Sequence, residues 1–102
     1  MKQRKVWVRW PEGLHVRPAS RLVNAARRYR SAIRLKHGGK VADARSILAL
    51  LMLGASFGAP LDLEVSGDDE EAAISEVATV FETETPSADK NPFFHAPARA
   101  GW

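Results

Sequence analysis

The segment Leu61-Asp62-Leu63-Glu64-Val65 alternates apolar and charged residues without a break. Side chains of a strand point to opposite faces in turn, so this stretch sets three aliphatic residues on one face and two carboxylates on the other. Such a strand has one wet face and one buried face, and it belongs in an antiparallel sheet covered on one side only. Two other segments carry the same pattern. Lys5-Val6-Trp7-Val8-Arg9-Trp10 places Val6, Val8 and Trp10 on one face, and Ala32-Ile33-Arg34-Leu35-Lys36 alternates again. His37-Gly38-Gly39-Lys40 is a glycine turn that predicts Lys40-Val41-Ala42 pairing back as a hairpin.

Between the strands the period becomes helical. From Val16 to about Arg28, Ala19, Leu22, Val23 and Ala26 form an apolar stripe with Tyr29 close behind. Arg17, Arg21, Asn24, Arg27 and Arg28 take the polar side. Ser46 to Leu53 reads as a short, very apolar helix ending at Gly54. Asp68-Asp69-Glu70-Glu71 opens a third helix with Ile74, Val77, Ala78 and Phe81 buried, and Asp68 and Glu71 have the spacing of a capping box. The order is strand, helix, strand, strand, helix, strand, helix. These faces close one core as an α+β fold in two layers, a four-stranded antiparallel sheet with three helices on one face. Residues 1–84 are expected to form the single domain. Residues 85–102 hold three of the six prolines and no periodicity, and are expected to be a flexible tail despite Phe93, Phe94 and Trp102.

The composition removes several functions. There is no cysteine, hence no disulfide framework and no thiolate metal site. His15, His37 and His95 lack the spacing of metal ligands. No apolar run is long enough to span a membrane, and the basic start Met1-Lys2-Gln3-Arg4-Lys5 is not followed by the apolar stretch of a signal peptide. These features fit a cytoplasmic protein. The net charge of +3 is unevenly spread: eight Lys or Arg and no acid lie between Gly13 and Ala42, and nine Asp or Glu and no base between Leu61 and Glu84. The first half therefore attracts acidic partners or phosphates.

Chemistry concentrates in Gly13-Leu14-His15-Val16-Arg17-Pro18-Ala19-Ser20. Proline lacks an N–H and suits a first helical turn, which sets His15 at about the N-cap, a position that histidine fills poorly. A helix start gathers N–H groups and the positive end of the dipole, and together these bind anions. A neutral imidazole there carries a lone pair that can attack phosphorus. The amides of Val16 and Arg17 and the Arg17 guanidinium can hold the phosphate oxygens. The only acid near His15 in sequence is Glu12. Ser46 stands just before the second helix, where a serine most often caps; phosphate added there would be tolerated by the helix dipole and would charge the edge of any surface offered by Ile47, Leu48, Leu51 and Met52.

Gly13-Leu14-His15-x-Arg17-Pro18-Ala19 resembles the active-site signature of the histidine-containing phosphocarrier (HPr) family of the bacterial sugar phosphotransferase system. Ser46-Ile47-Leu48 followed by Leu53-Gly54 resembles that family's regulatory serine region, and the spacing and element order match over about Lys2 to Glu84. The resemblance implies an open-faced β-sandwich and no cofactor. It implies that His15 takes phosphate on Nδ1 from phospho-enzyme I and hands it to a sugar-specific IIA unit, with Arg17 helping to hold and release it. The protein would be a stoichiometric carrier and not a turnover enzyme. Ser46 would be the target of an HPr kinase/phosphorylase. Ile47, Leu48, Leu51 and Met52, with Ser20, Arg21 and Asn24 on the exposed side of the first helix, would form the partner surface of a monomer. Val16 departs from the small or hydroxyl residue often found after the histidine, and Gly38-Gly39 from an Asn-Gly turn.

Two other readings compete. A regulatory relative would signal by phosphorylation without feeding sugar transport. A nucleic-acid-binding domain would share the element order and the arginines, but RNA-binding sheets present stacked aromatics, and Trp7 is the only outward aromatic expected of a central strand.

Overall fold

A computed structural model describes residues 1–82. The expected tail, with Phe93, Phe94, His95 and Trp102, lies outside the described residues, as does the domain boundary at 84. The elements are β1 (Lys2–Trp7), α1 (Val16–Ala26), β2 (Ala32–His37), β3 (Lys40–Asp43), α2 (Ile47–Met52), β4 (Pro60–Ser66) and α3 (Glu70–Glu82). They build the α+β open-faced sandwich, with the strands antiparallel in the order β1-β4-β2-β3.

The alternation in β4 sets the register. Leu61, Leu63 and Val65 are opposite Val6, Leu35 and Ile33, and all six are buried. The helices cover this face with Leu22 and Val23 from α1, Leu50 from α2, and Val77 and Phe81 from α3. Burying each such side chain contributes ~1.5–3 kcal/mol before conformational entropy is counted. The open face is held by charge. Lys5 Nζ lies 3.0 Å from Asp62 Oδ1, and Lys36 Nζ lies 3.0 Å from Glu64 Oε2. Gln3 Nε2 donates to the same Glu64 oxygen at 3.3 Å. Gly38 and Gly39 take φ of +52° and +85°, which makes the tight β2–β3 turn accessible at no steric cost.

Three expectations are corrected. β1 begins at Lys2 and ends at Trp7, with Val8 and Trp10 buried beyond its end. Its early residues show no apolar alternation because Lys2 and Arg4 reach carboxylates of α3: Lys2 Nζ is 3.5 Å from Glu71, and Arg4 Nη2 is 3.0 Å from Glu82. β1 is also an edge strand, so Trp7 is an edge aromatic and not a central one. Finally, the Asp68–Glu71 capping box does not form. Glu70 Oε1 accepts from the Gly67 N–H at 3.0 Å, while Asp69 accepts from the N–H groups of Arg30 (2.9 Å) and Ser31 (3.0 Å) and from the Ser31 hydroxyl. Asp69 ties this helix start to the α1–β2 connection. The Ser31 hydroxyl first, then the Arg30 N–H, holds the Asp69 carboxyl below its usual range.

Among the described residues no helix is long and apolar enough to cross a membrane.

Candidate functional site

The chain enters α1 through a tight turn. The Gly13 N–H donates to Trp10 O at 2.8 Å, and the Leu14 N–H donates to Ala55 O at 3.0 Å. Gly13 has φ +81°, and a Cβ there would stand 2.7 Å from Ala55 O. Only glycine fits a left-handed residue pressed this closely on another backbone. The loop after α2 thereby fixes where the next residue begins.

That residue is His15, the N-cap of α1, with extended φ −113° and ψ −171°. Its carbonyl accepts the Ala19 N–H at 3.0 Å. Its side chain makes no capping bond. The imidazole is 34% exposed, with Nε2 3.5 Å from Glu12 Oε1. The next helical positions are Val16, Arg17 and Pro18. The amides of Val16 and Arg17 lie in the first turn, and Pro18 has no N–H to present. No acid occupies this turn, so no side chain within it offsets the positive end of the dipole. The Val16 side chain and Arg17 are exposed, while Pro18 and Ala19 are buried and anchor the turn. An accessible ring nitrogen, a guanidinium and a helix start at one end of α1 can receive a compact anion.

The other candidates lie along α1 and on α2. Asn24 is exposed and Ser20 and Arg21 are half-buried along α1. α2 packs against α1. Ser46 is its N-cap, and Ser46 Oγ accepts the Ala49 N–H at 3.1 Å. Leu50 is the buried residue of this helix. Leu48 and Met52 are 69% and 66% exposed, and Ile47 is 38% exposed. Leu51 is half-buried and packs on the core, so it offers less surface than its three neighbours. Exposed Phe57 and the Ala55 carbonyl belong to the loop that supports the Gly13 turn, and sequence reasoning passed over both. The contact of Ala55 with Gly13 and Leu14 is long-range, with no local signal to reveal it. Among the described residues no group of three His, Cys, Asp or Glu could hold a metal ion.

The chain is similar over most of its length to known proteins. The HPr-like protein Crh of Bacillus subtilis (strain 168) is 38% identical over 84 residues, covering 82% of this chain and 99% of that protein. The phosphocarrier protein NPr of Proteus mirabilis (strain HI4320) is 37% identical over 81 residues, covering 78% and 90%. The crystal structure of HPr-C-His from Thermoanaerobacter tengcongensis superposes with a TM-score of 0.77 at 35% identity, covering 80% of this chain and 92% of that one. A family model described as the PTS HPr component phosphorylation site matches residues 2–83, and the chain belongs to the HPr family of phosphocarriers of the phosphotransferase system.

Proposed function

We propose that this protein carries a phosphoryl group on His15, taking it from phospho-enzyme I and passing it to a sugar-specific IIA unit in the cytoplasm. The observation that carries the reading is a partly exposed imidazole at the N-cap of α1 that does not cap its own helix. In the transfer, a ring nitrogen displaces the donor at phosphorus. The first-turn amides and Arg17 balance the charge on the phosphoryl oxygens, and little other chemistry is asked of the protein. Every part named lies on one chain, and a monomer would suffice. Ile47, Leu48 and Met52, with the α1 residues Ser20, Arg21 and Asn24, form the surface that partners cover. Ser46 is the site at which an HPr kinase/phosphorylase would regulate transfer.

A second reading is favoured by the likeness to HPr-like protein Crh: a regulatory protein that is phosphorylated as a signal and feeds no transporter. One experiment orders the two. Phosphoenolpyruvate and enzyme I are expected to add one acid-labile phosphate, seen by mass spectrometry and phosphorus NMR, and His15→Ala to abolish it. Onward transfer to IIA units supports the transport role, and a labelled protein that transfers to none supports the regulatory one. No label on the wild type with competent enzyme I, or a phosphate on the alanine variant, overturns the carrier reading.

A further inference from the structure

We propose that Glu12 is a positioning residue for His15, selecting which ring nitrogen is free to react. The inference rests on the reading of His15 as the phosphoryl acceptor. Glu12 is a departure from the basic character of its surroundings, since no other acid occurs before Asp43. Its carboxylate oxygen lies 3.5 Å from His15 Nε2. The backbone brings the two residues close. Glu12 sits inside the turn closed by the Gly13 N–H to Trp10 O, and that turn is pinned by the Leu14 N–H to Ala55 O and by the close fit of Gly13 against the same carbonyl. His15, for its part, is not committed to capping.

A neutral imidazole has one N–H and one lone pair, and the partner of one nitrogen decides the role of the other. A carboxylate at Nε2 favours the proton there. The lone pair is then on Nδ1. When Nδ1 attacks a phosphorylated donor, the N–P bond forms, the donor's bond to phosphorus breaks, and its electron pair stays with the donor. Nε2 keeps its proton, so the ring takes one positive charge, which faces Glu12. In onward transfer the same proton keeps the ring a good leaving group, and the neutral Nε2–H form is restored as the phosphoryl group departs. The carboxylate is 77% exposed, so its effect on rate is that of a solvent-screened pair, roughly two- to fivefold.

The test reads the tautomer directly in the full chain, without any phosphoryl donor. Nitrogen-15 NMR at about pH 8.5, where imidazoles are neutral, gives separate shifts for a protonated and an unprotonated ring nitrogen. The His15 resonances are assigned by their loss in His15→Ala. In the wild type Nε2 is expected on the protonated side of the range and Nδ1 on the unprotonated side. In Glu12→Ala the two shifts move toward each other as the tautomers mix. Glu12→Gln, which keeps an acceptor without the charge, falls between. Rates of labelling by phospho-enzyme I are expected to follow the same order. Identical His15 shifts in the wild type and both variants overturn the role of Glu12, whatever the labelling. An unlabelled wild type with the expected tautomer series overturns the carrier reading instead.

Discussion

Replacing Gly13 by alanine tests the turn that delivers His15, and Gly38→Ala supplies its control. Both glycines have positive φ, +81° and +52°. A residue with a Cβ in the left-handed region costs about 1–2 kcal/mol from backbone sterics, and both variants carry that cost. They differ in what the new methyl meets. At Gly38 nothing lies within 4 Å. At Gly13 the Cβ meets Ala55 O at 2.7 Å and Ser56 Cα at 3.3 Å, both backbone atoms that cannot rotate aside. Relief requires the two loops to part by several tenths of an ångström, and the Leu14 N–H to Ala55 O bond lengthens with them. Weakening that bond adds about 0.5–1.5 kcal/mol. Gly13→Ala is therefore expected to unfold in urea with about 1 kcal/mol less stability than Gly38→Ala, or roughly 4–8 °C lower in Tm for a domain of this size. Labelling of His15 slows in Gly13→Ala alone. Equal stabilities, or equal labelling rates, refute the argument that the Ala55 backbone sets the histidine in place.

Ser46→Ala removes the acceptor for the Ala49 N–H and is expected to cost ~1 kcal/mol in urea unfolding, with faster hydrogen exchange at Ala49. Leu48→Asp and Met52→Asp, both at exposed positions, are expected to change stability by no more than about 0.5 kcal/mol while raising the KM of enzyme I for this protein as its substrate. The Asp69 carboxyl is held low in the folded protein, so its stabilising effect is whole above the ordinary carboxylate value of ~3.9 and is lost as pH falls through its own lower value. Asp69→Asn removes that titration, and its acid unfolding curve is expected to be shallower than the wild type's below about pH 4.

What the sequence reveals here depends on whether a residue's role is local. The β4 alternation, the α1 stripe and the Gly38-Gly39 turn each answer to a neighbour a few residues away, and the structure follows them. The start of β1 and the start of α3 are different. Lys2, Arg4 and Asp69 owe their placement to partners far along the chain, and a pattern of charges does not say which partner. The same division runs through the site. His15 at the helix start and Ser46 as a cap are readable from adjacent residues. Ala55 beneath Gly13 and the inward turn of Leu51 are decided by packing.

The opening strand is fastened unevenly along its length. Near its far end Val6, Val8 and Trp10 are immersed in the core, with Trp10 tilted on Phe81 at a ring distance of 5.4 Å. At its near end the grip on α3 consists of water-facing pairs made by the Met1 amino group, Lys2 and Arg4, each worth about 0–1 kcal/mol and screened by salt. Peeling of this margin is therefore graded. In concentrated salt the amides of Lys2 to Arg4 trade hydrogen for deuterium well before that of Val6, while the histidine end of the molecule stays shut.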